Sequence, residues 1–195
     1  MRILAGDSRG RPFKSVPKSL PVKPISSRIK KSVFDILRPW LGEARFLDLY
    51  AGTGAVGLEA LSRGAASCFF VDRDKRCLAV IDQNLAALGL ASKGRTAYGD
   101  ALQDLSWIPF RAGAATFDLI YLGPPYRDEE NRPLAFSTPT LARVAEAGLA
   151  AAGALILVQH HVKEDVAAPA GWENFRREKY GDTYVDFLRR AAAAA

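Results

Sequence analysis

Asp48 lies near the end of the apolar run Phe46-Leu47-Asp48-Leu49, which is followed by Tyr50-Ala51-Gly52-Thr53-Gly54-Ala55-Val56-Gly57. Glycines at 52, 54 and 57 have the G-x-G-x-x-G spacing of a nucleotide-binding turn between a strand and a helix. Spacing alone suits a dinucleotide, whose pyrophosphate seeks the positive end of the helix. The carboxylate of Asp48 argues against that, because it repels a pyrophosphate and favours a cationic ligand such as an ammonium near a sulfonium. The turn residues Tyr50, Ala51, Gly52 and Gly54 then bring backbone close to the ligand. Asp72, next to Arg73, ends a second apolar run and can accept from ribose hydroxyls. Asp100, next to Ala101, follows a third run and can accept from an adenine amine. Asp74 is read as a helix cap. Three acids at strand ends lie on the edge where open α/β sheets bind ligands.

Gly123-Pro124-Pro125-Tyr126 directly follows a fourth apolar run. Two prolines make a rigid extended turn and remove two N–H donors, leaving carbonyl acceptors. Such acceptors can hold an exocyclic base amine. Tyr126 can stack on the face of an extruded base.

The elements that must position these residues alternate. Strand-length runs at 46–49, 67–71, 95–98, 117–122 and 154–158 are separated by helical stretches at 56–63, 75–88, 102–107 and 134–147. That alternation, with strands apolar on both faces, indicates a parallel sheet covered on both sides. Residues 174–180 and 184–189 flank Gly181-Asp182-Thr183 and read as a terminal antiparallel hairpin. Before the first strand, Ser26 or Ser27 caps a helix that Pro39 is expected to end near Leu37. Arg2–Ala5 and Pro12–Val16 read as a short hairpin around Ser8–Arg11.

Net charge is +6, and all of the excess lies at one end: residues 1–38 carry +8 and the rest −2. A basic segment on a near-neutral body suggests a polyanion partner, with Arg9, Arg11, Lys14, Arg28, Lys30 and Lys31 as candidate phosphate contacts. Residues 1–24 are read as a basic extension, 25–190 as the catalytic domain, and Ala191–Ala195 as a tail without side-chain chemistry. Prolines 12, 17, 21 and 24 preclude an amphipathic membrane helix there. No apolar run reaches membrane-spanning length and no signal peptide is evident, so a cytoplasmic location is expected. Cys68 and Cys77 form no C-x-x-C pair, and His160 and His161 point to opposite faces of a strand, so no metal site is expected.

Three further stretches carry a resemblance. Arg2-Ile3-Leu4-Ala5-Gly6-Asp7-Ser8-Arg9-Gly10-Arg11 is similar to R-I-I-G-G-x-x-x-G-R. Residues 23–34 are similar to R-P-T-x-x-R-x-R-E-x-x-F. Leu47 to Ala65 follows L-D-L-Y-A-G-S/T-G-A-x-G-L-E-A-L-S-R-G-A almost letter for letter. Over nearly all of residues 1–190 the chain resembles the bacterial small-subunit rRNA guanine-N(2) methyltransferases (RsmD-like). The resemblance implies a Rossmann-like class I methyltransferase: a mostly parallel seven-stranded sheet with a C-terminal antiparallel hairpin and helices on both faces. It implies S-adenosyl-L-methionine as cofactor and 16S rRNA as partner, naked or in an assembling small subunit; apart from the resemblance, a monomer is expected. The base amine would attack the sulfonium methyl, and the protein would mainly supply alignment. Two positions depart from the pattern: Gly123 stands where the family has Asp, and Lys31 where it has Glu. By analogy that Asp accepts a hydrogen bond from the target amine; an Asp restored at 123 is expected to fit and to raise transfer. Rival readings are a DNA adenine methyltransferase, disfavoured by the lack of a target-recognition domain, a NAD oxidoreductase, disfavoured by Asp48, and a non-catalytic rRNA-binding protein.

Overall fold

The computed structural model describes residues 1–17, 20, 22 and 24–192; Lys18, Lys23 and the last three alanines, among others, lie outside the described residues. Among the described residues five helices and seven strands follow in order: α1 Ser27–Leu41, β1 Arg45–Leu49, α2 Ala55–Ser62, β2 Ser67–Asp72, α3 Lys75–Leu88, β3 Gly94–Tyr98, α4 Ile108–Ala112, β4 Phe117–Leu122, α5 Ser137–Glu146, β5 Ala150–His161, β6 Trp172–Tyr180 and β7 Thr183–Arg190. They build one sheet of order β3-β2-β1-β4-β5-β7-β6. The first five strands are parallel, and β7 inserts antiparallel between β5 and β6. One core face packs residues of α1, α2 and α3 on the sheet; the other packs Ile108 of α4 and Leu141 and Val144 of α5. Near-continuous burial along β1, β2 and β4 is what a sheet covered on both faces requires.

The strand order reverses between β1 and β4, which opens a crevice at their carboxyl ends. Asp48 pairs in register with Tyr121, so the turns that follow the two strands emerge side by side. The third motif glycine serves packing. A Cβ on Gly57 would lie 2.2 Å from the Phe70 ring and 2.5 Å from Cys68 Sγ, so only glycine lets α2 settle on β2.

Several elements differ from the sequence expectation. Helix α1 is capped by Ser26, whose Oγ accepts from Ile29 N at 3.2 Å, but it runs through Pro39 to Leu41. Pro39 has no N–H to give the Asp35 carbonyl, and buried Leu37 and Leu41 hold the last turn against the core in spite of that loss. No helix forms at 102–107. There Asp100 and Asp104 bind the amides of Leu102 and Ser106 in local turns that compete with helix, and α4 begins one residue later with Pro109 in its first turn. Helix α5 starts at Ser137 rather than 134, with Ser137 N bonded to Glu164. The N-terminal hairpin reduces to a single Arg2–Pro12 bridge. Pro12 has no N–H to give, and the amides of Leu4 and Ala5 are taken by Glu59.

The basic N-terminal segment packs against the body. Ile3 and Phe13 are buried in the core with α1 and α2, and Val16 and Leu20 pack with Cys77 of α3. No helix among the described residues is long and apolar enough to cross a membrane.

Candidate active site

One cleft of about 1060 Å³ lies at the carboxyl ends of the parallel strands. Asp48, Tyr50, Ala51, Gly52, Asp72, Arg73, Asp100, Ala101, Gly123, Pro124, Pro125 and Tyr126 all line it. Gly54 does not; it caps α2 at φ 74°, and a Cβ there would meet Ile81 at 2.9 Å, so it shapes the turn from behind.

Each acid braces the site as well as facing it. Asp48 is 1% exposed and accepts from Gly57 N at 2.9 Å. Burial pushes its pKa well up, and neighbouring Asp72 adds to the push. A buried carboxylate so destabilised gains most from a cation beside it. Asp72 accepts from Gly52 N at 2.7 Å and from Asp74 N at 2.8 Å, tying the glycine turn to the end of β2. Burial outweighs those two amides and raises its pKa. A carboxylate has about four acceptor positions, so both acids keep capacity for a ligand. Asp100 accepts from Leu102 N through Oδ1 at 2.9 Å. Asp74 caps α3, as its position before the helix implied.

Tyr50 holds left-handed backbone at φ 62°, unusual for a bulky residue and a form of strain that clusters at functional turns. Its hydroxyl is anchored 2.6 Å from Thr140 of α5, and burial pushes its pKa to about 12. At the second turn, Gly123 N donates to Leu49 O at 3.4 Å, joining the two turns across the switch point.

Other cleft residues were not singled out in sequence. The N-terminal segment contributes Val22, Pro24 and Ile25; Val22 Cγ1 would lie 3.0 Å from a Cβ on Gly52 and so covers the glycine turn. Tyr121, Gln159, His161, Asp182 and Thr183 form the opposite wall. A glutamine ending the run Leu155-Ile156-Leu157-Val158 was a visible signal for Gln159. His160, by contrast, is fully buried on the other face and bonds Asp186 at 3.2 Å.

The basic candidates scatter. Lys30, expected to contact phosphate, is 2% exposed and pairs with buried Glu59 at 2.9 Å. Arg11 donates to the carbonyls of Ala87 and Leu88, stabilising the negative end of α3. Lys14 reaches Gln83 at 3.0 Å, and Arg9 is exposed. Arg28 and Lys31 line a second groove, of about 820 Å³, together with Arg38, Trp40, Phe175 and Arg176.

A reversed strand order, an inserted antiparallel β7 and acids around a glycine turn define a Rossmann-like class I methyltransferase fold. Residues 1–189 match the family described as conserved hypothetical protein 95, and the chain belongs to that family. It is 31% identical to "Ribosomal RNA small subunit methyltransferase D" of Escherichia coli K12, over 98% of this chain and 91% of that one. The protein of the same name in Haemophilus influenzae is 27% identical, over 93% of this chain and 89% of its own. The solved structure of yhhF from Escherichia coli superposes with a TM-score of 0.79 at 28% identity, covering 97% of both chains.

Proposed function

We propose that this protein methylates an exocyclic base amine of ribosomal RNA, guanine N2 of 16S rRNA, naked or in an assembling small subunit, using S-adenosyl-L-methionine. The observation that carries the reading is the joining of two turns in one cleft. The glycine turn with Asp48, Asp72 and Asp100 suits a cationic nucleoside, and the Gly123–Tyr126 turn suits a base amine. The donor set fits the cofactor. Asp48 offers a desolvated carboxylate to its cationic end, Asp72 an acceptor to ribose hydroxyls, and Asp100 an acceptor to the adenine amine. When bound, the cofactor would supply an electrophilic methyl group to the amine nitrogen, the C–S bonding pair would go to sulfur, and the amine proton would pass to water.

The chain's residues align the partners. Carbonyls of the proline turn accept from the amine, and Tyr126 presents a ring face to the base. The names of its relatives support rRNA as the substrate class. The second groove supports a path for the strand. Helix α1 lines the cleft with its cap Ser26 and with Ile29, and the groove with Arg28 and Lys31; β6 lines them with Tyr180 and with Phe175 and Arg176 respectively. Four basic side chains, one acid and an exposed Trp40 suit a phosphate backbone with bases to stack. The test is mass mapping of modified 16S nucleotides in cells with and without the protein, paired with transfer by the purified protein to the unmodified RNA or subunit. Loss of one N2-methylguanine and its restoration in vitro is the expected result. An unchanged modification map would refute the reading.

A further inference from the structure

Gly123 has no side chain to offer the amine, and the structure shows what stands in its place. A Cβ at 123 would lie 2.9 Å from Tyr121 Cε1 and 3.5 Å from the Tyr121 hydroxyl oxygen. Gly123 is not among the left-handed glycines, so it is small because the Tyr121 phenol claims the space. An Asp at 123, expected from the resemblance to fit, therefore meets a buried ring.

That phenol is held in a fixed polar chain. Tyr121 is 4% exposed, and its hydroxyl donates to Gln159 Oε1 at 2.6 Å. Gln159 Nε2 donates to the Tyr126 hydroxyl at 2.7 Å, and Tyr126 in turn reaches Thr183 Oγ1 at 3.4 Å. The β4–β5 register pairs Tyr121 with Leu157, which places Gln159 on the same face, one pair further along, beside position 123. Three side chains from β4, β5 and the proline turn thus meet at the wall of the cleft. A hydroxyl that spends its hydrogen on Gln159 keeps lone pairs and is a pure acceptor toward the cleft.

An exocyclic amine entering the cleft brings two N–H groups, and an unpaired buried donor is costly. We propose that the Tyr121 hydroxyl, oriented by Gln159, receives one of those N–H groups and so performs the amine recognition that residue 123 cannot. Gln159 is the positioning residue, because it consumes the phenol hydrogen. The amine so held has its single lone pair directed by two fixed acceptors of its N–H groups, the turn carbonyl and the phenol oxygen. The inference rests on the functional reading above and names its amine-binding group.

Single-turnover methyl transfer to the rRNA substrate tests it. Tyr121→Phe keeps the ring and removes only the hydroxyl. Transfer should slow about tenfold, the value of one buried hydrogen bond, while affinity for S-adenosylhomocysteine stays within about twofold. Gln159→Leu should slow transfer similarly, and in the Tyr121→Phe background it should cost little more, since both remove one acceptor. Gln159→Glu still accepts from the phenol and should restore most of the rate lost in Gln159→Leu. Tyr121→Phe transferring at the wild-type rate would overturn the assignment and leave the functional reading standing. Wild-type protein that transfers no methyl to rRNA would overturn both.

Discussion

Replacing Glu59 by Ala should detach the N-terminal segment and destabilise the fold far more than a typical helix substitution. Glu59 is fully buried and gathers four donors. Its Oε1 accepts from Ala5 N at 3.0 Å and Arg63 Nε at 2.8 Å; its Oε2 accepts from Leu4 N and Lys30 Nζ, both at 2.9 Å. Without it, the Lys30 ammonium, 3% exposed, keeps the Arg2 carbonyl at 3.4 Å and the Phe13 ring face at 5.5 Å but has no counter-charge. Breaking a buried ion pair from one side costs about 3–5 kcal/mol. Each orphaned amide adds about 1–3 kcal/mol if it stays buried. Release of residues 1–6 to water would relieve the amide part, so a net loss of about 3–5 kcal/mol is expected. Urea unfolding should show a lower midpoint with a similar slope, and amide exchange at Leu4 and Ala5 should become fast under native conditions. The double replacement Glu59→Leu with Lys30→Met should recover most of the loss, because apolar side chains of similar size can replace a buried pair at little cost. A loss below about 1 kcal/mol, or exchange at Leu4 and Ala5 unchanged, would refute the clamp. The same experiment separates structure from recognition. Lys30→Met should destabilise the protein and leave the salt dependence of RNA binding unchanged.

Asp72→Ala should weaken S-adenosylhomocysteine binding by at least about 1–3 kcal/mol, because it removes both a ribose acceptor and the brace on Gly52; calorimetry showing an unchanged Kd would contradict the brace. Cofactor affinity should rise with pH. The Asp48 pKa is raised in the empty cleft and falls when a cation binds, so binding releases a proton and is favoured as pH increases toward that raised value. Titrations in two buffers of different ionisation heat should count that proton, and Asp48→Asn should abolish it. The combined change Arg38→Ala, Trp40→Ala and Arg176→Ala should weaken rRNA binding and lower its salt slope by about two, with cofactor binding preserved; an unchanged slope would remove the α1–β6 groove from the RNA path.

Much of this was legible in the sequence because it depends on neighbours along the chain. Apolar runs of strand length, the alternation with helices and the glycine spacing are local signals, and they located the parallel strands, α2, α3 and the terminal antiparallel pair. The acids at 48, 72 and 100 were found because the carboxyl ends of parallel strands must share one edge. What failed locally failed for local reasons: short acidic turns displaced the helix expected at 102–107, and Pro39 fell where a helix tolerates it.

Tertiary structure decided what depends on residues far apart in the chain. Lys30 is a cation like Arg28 and Lys31 in composition, yet only packing sets it against Glu59 and removes it from the surface. The residues read as a basic extension carry Ile3, Phe13, Val16 and Leu20 among their prolines and charges, and burial of these four needs partners in three different helices. Gly123 looked like a missing carboxylate; the sheet register, which places Tyr121, Gln159 and that glycine on one face, turns it into room for a phenol. A linear pattern reports which face a residue prefers, whereas its partner is set by strand order and register, and those emerge only when the whole sheet closes its core.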